Sequence, residues 1–282
     1  MVGRAAALLV PLPAMPSSSS AASAAQSRAR IRPVSLAGLA LLGTALGLYY
    51  AFHARLWNAS TWWDIAFIAL VLIPACFGLV WLILPWYASR WTIAAAAGFG
   101  VLALVFHLAG WSTPENFCKL FGVAFVGFWF LGYFETLSWV VLVALIIPWV
   151  DAYSVFAPHG PTNVIVNQHR HVFTTFSFAF PIPGERGAAN LGLPDLLFFA
   201  LFLAAAARFA LRPALTWLLM TLSFGATLAI AAEWRGGLPA LPLLALSFLL
   251  ANADLIWRRL RRGEPEARSE RSGTRSSGRT EP

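Results

Sequence analysis

The sequence is poor in charged residues. Of its 282 residues, only 11% are Asp, Glu, Lys or Arg, whereas a soluble domain contains about 25%. Hydrophobic residues make up 59% of the chain and come in long runs. A soluble fold of this size has too little interior to bury so many apolar side chains. The composition therefore excludes an ordinary soluble domain and indicates a protein whose solvent is the lipid bilayer.

Lysine and cysteine are also scarce. Lys119 is the only lysine among 20 basic residues, a bias that we attribute to composition. Cys76 and Cys118 lie in or beside apolar runs without a Cys-x-x-Cys spacing, which excludes a disulfide framework and argues against a metal or redox site. The net charge of +8 does not predict nucleic-acid binding. The basic residues concentrate in the tails and short loops, as in membrane proteins.

The chain contains a series of apolar segments. Most of them have about 20 residues, the length that a membrane span needs. The run from 117 to 157 is split at Glu135, because Gly132 and Thr136 are turn and cap residues. The pattern predicts an all-α polytopic membrane protein of about eight transmembrane helices. The segments are 34–53, 63–86, 91–110, 117–134, 136–157, 193–211, 214–232 and 238–257.

The arginine distribution predicts that both basic termini lie on the cytoplasmic side. The predicted organisation is a disordered N-terminal tail (1–32), an N-terminal membrane bundle (33–157), an external loop (158–192), a C-terminal membrane bundle (193–257) and a disordered tail (258–282).

The external loop is rich in β-branched and aromatic residues at 163–166 and 172–180, a composition that predicts a strand or β-hairpin. His159, His169 and His171 share this loop, but no carboxylate or cysteine nearby completes a zinc site. We therefore interpret the histidines as part of a solvated polar turn.

Four acidic residues fall within or at the ends of the apolar segments, where burial costs about 2.5–3.5 kcal/mol on insertion scales. Asp254, beside Arg258 and Arg259, is expected to be an ion-paired or solvated residue at the cytoplasmic end of its span. Asp64 is expected to be an interfacial acid at a helix start, where the helix dipole favours it. The remaining two are Asp151 and Asp195.

Asp151 and Asp195 are predicted to lie at similar depth on the external side, in consecutive spans that are expected to be neighbours. Two carboxyls in contact cannot both ionise cheaply, so they share one proton. An aspartic protease needs this arrangement. The same acids are compatible with an ion-coupling site in a transporter, or with two carboxyls that are each satisfied separately.

Three short motifs resemble those of the presenilin and signal peptide peptidase family, especially its archaeal members. Gly192-Leu-Pro-Asp195 resembles the Gly-x-Gly-Asp motif, and Asp151-Ala-Tyr-Ser-Val-Phe resembles the segment around the first aspartate. Pro239-Ala-Leu-Pro242 resembles the Pro-Ala-Leu motif. Their order along the chain also matches, and the resemblance covers residues 150–257.

The resemblance implies a presenilin-like bundle that acts as an intramembrane aspartyl endopeptidase, with Asp151 and Asp195 as the catalytic pair. Gly192 and Pro194 would position Asp195, and Pro239, Ala240 and Leu241 would shape the substrate cleft. Substrates would be transmembrane segments of other proteins, with water as the only co-reactant, no metal and no cofactor. The expected location is the plasma (inner) membrane of a prokaryote.

The chain departs from the family pattern at three points. Pro194 replaces the second motif glycine, Val150 replaces the usual tyrosine, and eight segments stand where the family has nine spans. A catalytically inactive presenilin-like scaffold is therefore an alternative to the enzyme.

Overall fold

The computed structural model describes residues 33–162, 164, 170–233 and 238–262. These residues form eight long helices, one short helix and a two-stranded antiparallel sheet. The predicted tails at 1–32 and 263–282, the loop positions 163 and 165–169, and residues 234–237 lie outside the described part. The helices are α1 (Pro33–Phe52), α2 (Thr61–Trp86), α3 (Thr92–Leu108), α4 (Ser112–Phe130), α5 (Leu137–Phe156), α6 (Arg170–Thr175), α7 (Leu193–Arg208), α8 (Pro213–Glu233) and α9 (Leu241–Arg262).

Six of these helices are long and apolar enough to cross a membrane. They are α1, α2, α4, α5, α8 and α9, so the chain is an integral membrane protein. Helices α3 and α7 are shorter, with 17 and 16 residues. All eight long helices coincide with the apolar segments predicted from the sequence. The helical segments α4 and α5 are separated between Phe130 and Leu137, around Glu135, as expected.

Small residues set how closely the helices approach. A Cβ at Gly127 of α4 would lie 2.7 Å from the Leu197 backbone oxygen of α7, so only glycine fits this crossing. On α7, the residues that follow, 199–206, are all buried. Gly225 of α8 meets Ala69 in the same way, since a Cβ added at residue 225 would lie 3.1 Å from the Ala69 Cβ. Ala69 belongs to a single π-helical turn within α2, at Ile68–Leu72.

The hairpin pairs β1 (Ser177–Pro181) with β2 (Ala188–Gly192) in antiparallel register, with Ala179 opposite Asn190. The predicted hairpin is therefore present, but its extent differs from the prediction. Residues 170–175 form helix α6 instead of a strand, and the partner of β1 is 188–192, which we did not predict as a strand. The tertiary environment overrides the β propensity of residues 172–175.

Side chains of the helical bundle form hydrogen bonds with the outer edge of β1 and so hold the hairpin. The Asn116 amide donates to the Ala179 carbonyl (2.8 Å) and accepts from the Ala179 N–H (2.9 Å), as a neighbouring strand would. The hydroxyls of Tyr50 and Tyr49 donate to the Ala179 and Pro181 carbonyls. This edge is therefore covered, and the opposite edge of the sheet, along β2, is not paired with any described strand.

At the other end of the bundle, Asp254 is ion-paired, as expected. Both carboxylate oxygens of Asp254 accept from the Arg212 guanidinium at 2.8 Å, in a bidentate pair that links α9 to the start of α8. No ion pair joins Asp254 to Arg258 or Arg259 in the described part of the chain. Helix α9 also continues to Arg262, so residues 258–262 are helical where we expected the tail to begin.

Candidate functional site

Asp151 lies in the last two turns of α5, which packs along α9. Its Oδ2 accepts a hydrogen bond from the Leu241 backbone N–H at 3.0 Å. Leu241 is the first residue of α9, and the first N–H groups of a helix have no partner within the helix. The Pro-Ala-Leu segment thus touches the first aspartate directly, through backbone and not through a side chain.

Asp195 lies in the first turn of α7, which follows β2 without a loop. Gly192 is the N-cap residue and Asp195 occupies the third helical position, from which a carboxylate can reach back towards the N-cap N–H as in a capping box. A Cβ on residue 192 would lie 3.2 Å from Asp195 Oδ2. The glycine therefore leaves the space that this carboxylate occupies.

Pro194, which replaces the motif glycine, lies within the first turn of α7 and is exposed. Proline is favoured at helix starts, because its fixed φ is helical and the missing N–H has no intrahelical acceptor there. The substitution therefore stiffens the approach to Asp195 without interrupting the helix.

The two aspartates lie at the end of the bundle that carries the hairpin, Asp151 near the end of α5 and Asp195 at the start of α7. Helices α5 and α7 are in contact. Both side chains are only partly buried, so water can reach them. Two carboxyls that come into contact favour a state with one proton between them.

The residues of the Pro-Ala-Leu segment, which we predicted to shape the substrate cleft, lie inside the bundle. Pro239, Ala240 and Leu241 are all buried, with Ala240 and Leu241 exposed by 6% and 4%. Their side chains pack into the bundle, while the Leu241 N–H reaches Asp151.

Asp64 does not belong to this pair. It lies in the first turn of α2, as expected, and it is buried, with 7% of its surface exposed. Its Oδ1 has no hydrogen-bond partner among the described residues. Cys76 and Cys118 are free and buried.

A second polar cluster has no counterpart among the residues predicted from the sequence. Glu115 Oε1 is bonded to Lys119 Nζ at 2.6 Å and to His107 Nδ1 at 3.1 Å. The cluster lines a cavity of about 390 Å³ beside the hairpin. The sequence signal that could have revealed this cluster is the i, i+4 spacing of Glu115 and Lys119 in an otherwise apolar helix. Among the described residues, no group of His, Cys, Asp and Glu is arranged to hold a metal ion.

The resemblance to a known family rests on the three sequence motifs. Known protein families give no matching model for this sequence, and no curated protein matches it.

Proposed function

We propose that the protein is an intramembrane aspartyl endopeptidase of the presenilin and signal peptide peptidase type, with Asp151 and Asp195 as its catalytic pair. The observation that carries the proposal is the meeting of three motifs that are distant in sequence. The Leu241 N–H donates to Asp151, helix α5 with Asp151 contacts helix α7 with Asp195, and Gly192 is the N-cap residue of α7.

In the proposed mechanism, one carboxylate takes a proton from a water molecule while the protonated partner donates a hydrogen bond to the scissile carbonyl. The water oxygen attacks the carbonyl carbon, and the proton then passes to the leaving amide nitrogen as the C–N bond breaks. Water is the only co-reactant. The N–H of Leu241 stabilises the ionised form of Asp151, because it donates to the carboxylate.

A helical substrate must unwind before cleavage, because a helix shields its own carbonyls. The free edge of β2 supports a route to the extended state. Ala179 directs its N–H and C=O away from β2, towards Asn116. Its partner Asn190 therefore directs its own backbone groups to the opposite, open edge. A substrate strand on this edge would run towards Gly192 and Asp195.

The proposal includes the membrane arrangement. All eight long helices cross the bilayer, both termini are cytoplasmic, and the hairpin and catalytic pair lie near the external face of a prokaryotic plasma membrane. Substrates are transmembrane segments of other proteins.

The direct test uses Asp151→Asn and Asp195→Asn in proteoliposomes that contain a reporter transmembrane segment. Each substitution should reduce cleavage at least about a thousandfold, since residues of a catalytic unit are lost together. Asp254→Asn is the matched control, because it changes an aspartate at the other end of the bundle. Cleavage that persists in either catalytic variant, with the protein folded, would reject the assignment.

Pro194 allows the enzyme to be distinguished from an inactive scaffold. If the unmodified protein cleaves no reporter segment but Pro194→Gly does, the chain is an inactive relative that retains the site geometry. If the unmodified protein cleaves, Pro194→Gly should change the rate by less than about tenfold, because proline already fits the helix start.

A further inference from the structure

The cavity beside the hairpin concentrates polar side chains from separate segments of an otherwise apolar protein. His53 follows α1, His107 ends α3, Lys119 lies on α4 and His171 on α6. Arg186, in the turn between β1 and β2, completes this set. The proposed catalytic residues do not line the cavity, so it is a separate site.

The charge balance of the cavity favours an anion. Glu115 is the only acidic residue among the described residues that line it, and its Oε1 is already engaged by Lys119 and His107. Arg186 has no carboxylate within ion-pair distance in the described part of the chain. An anion entering the cavity therefore meets an uncompensated guanidinium.

Neutral donors add to this charge. Ser112 and Thr113 are the first residues of α4 and line the cavity, so N–H groups without intrahelical partners are available there. His53 Nδ1 lies 2.8 Å from the Tyr50 carbonyl, which can only accept. Nδ1 is therefore the protonated nitrogen.

The position of the cavity indicates where such an anion would come from. Trp57, Trp62 and Trp111, at the same end of the bundle, are exposed by 78%, 57% and 62%. Exposed tryptophans at helix ends are typical of the membrane interface, the depth of phospholipid headgroups. Basic pockets between transmembrane helices bind phospholipid headgroups on the cytoplasmic side of membranes, and the same chemistry applies to a basic cavity at the external interface.

We propose that this cavity binds a phosphate-bearing anion, with Arg186 and Lys119 as the charged ligands and the start of α4 as a source of N–H donors. A volume of about 390 Å³ accommodates a phosphate with a glycerol-sized substituent. The chemistry is the same for a phospholipid headgroup and for a soluble phosphate, and the test separates the two.

The test follows ligand binding to the full-length protein in a neutral detergent and a phosphate-free buffer. The probes are inorganic phosphate, dioleoylphosphatidylglycerol in mixed micelles, and dioleoylglycerol as a lipid without phosphate. Native mass spectrometry and the thermal unfolding midpoint report saturable binding. Binding of phosphatidylglycerol alone identifies a lipid headgroup site, and binding of inorganic phosphate as well identifies a general phosphate site.

Arg186→Gln should raise the half-saturating concentration about tenfold, because a charge-assisted hydrogen bond is lost. Arg90→Gln removes an arginine at the opposite end of the bundle and should have no effect. Lys119→Arg retains the charge and should retain binding, which avoids leaving Glu115 unpaired. The proposal is overturned if neither phosphate probe binds saturably, if dioleoylglycerol binds equally well, or if Arg186→Gln binds like the unmodified protein.

Discussion

At the residue scale, Gly192 has no side chain, and this leaves space for the Asp195 carboxylate. Gly192 has extended backbone angles (φ −60°, ψ 141°) that any residue can adopt. Its importance is therefore spatial, since a Cβ there would lie 3.2 Å from Asp195 Oδ2. The need for glycine at this position follows from the carboxylate and not from the backbone.

Gly192→Ala should consequently impair activity more than stability. We expect kcat/KM to fall about tenfold or more, because small displacements of a reacting group are costly. The free energy of unfolding should change by less than about 1 kcal/mol, as the backbone conformation suits alanine. Gly132→Ala, at a glycine with open space around it, is the control. Equal activity of both variants would contradict the proposed position of Asp195.

The Asn116 side chain bonds the outer edge of β1 as a third strand of the sheet would. It is buried, and its amide bonds both backbone groups of Ala179. Asn116→Ala would leave the Ala179 N–H without a partner, while the Tyr50 hydroxyl would still serve the carbonyl. We expect a loss of about 1–3 kcal/mol in the free energy of unfolding.

The control for Asn116→Ala is Asn190→Ala, which alters an exposed asparagine on the same hairpin. This change should cost less than about 1 kcal/mol. Denaturant unfolding in detergent micelles measures both values. Similar values for the two variants would show that the Asn116 contact does not hold the hairpin.

At the scale of elements, the hairpin is fixed at its turn as well as along its edge. Gly184 has a φ of +71°, and its N–H donates to the His53 carbonyl at 2.8 Å. A Cβ there would lie 2.5 Å from Asn58 Oδ1 and 2.8 Å from the Asn58 backbone nitrogen. The connection between α1 and α2 therefore packs against the turn, and this contact sets how the hairpin lies over the bundle.

Gly184→Ala should displace the hairpin. The positive φ costs about 1–2 kcal/mol, and the collision with Asn58 adds about 1–3 kcal/mol. Gly110→Ala is a matched control, because Gly110 has a φ of +72° but open space around it. The difference in unfolding free energy between the variants isolates the collision. Equal destabilisation would mean that the turn is not packed as described.

At the scale of the whole molecule, the hairpin and the α2–α3 turn lie at opposite ends of the bundle. Six helices that are long enough to span a membrane separate these two ends. The eight-span arrangement stays a prediction, because α3 and α7 are short. The Asp254–Arg212 pair and the buried Asn252, which accepts from the Arg212 N–H and donates to Thr216, join α8 to α9 away from the hairpin.

Labelling with a membrane-impermeant maleimide tests this arrangement. Glu185→Cys in the hairpin turn should react from outside intact cells, while Arg90→Cys in the α2–α3 turn should react only after permeabilisation. Both changes are made in a chain with Cys76 and Cys118 replaced by alanine, so that no native thiol contributes. Reaction of both positions from the same side would contradict the topology.

The candidate site was predictable from sequence only in part. The rarity of acids in apolar segments singled out Asp151 and Asp195, and the motif order singled out Leu241. The hydrogen bond from the Leu241 N–H to Asp151 was not predictable, because it joins positions far apart in the chain. The Asp254–Arg212 ion pair was not predictable for the same reason, since Arg212 is distant from Asp254 in the chain.

The sequence alone determined the membrane environment, the positions of the eight long helices and the presence of a hairpin, because apolar run length and local composition are properties of contiguous residues. Only the tertiary structure decided which strand pairs with β1, which residues cover its edge, that Asp64 is buried, and that a polar cavity forms around Glu115. Each of these depends on side chains from distant segments, and the energy of such contacts has no signature in a local pattern.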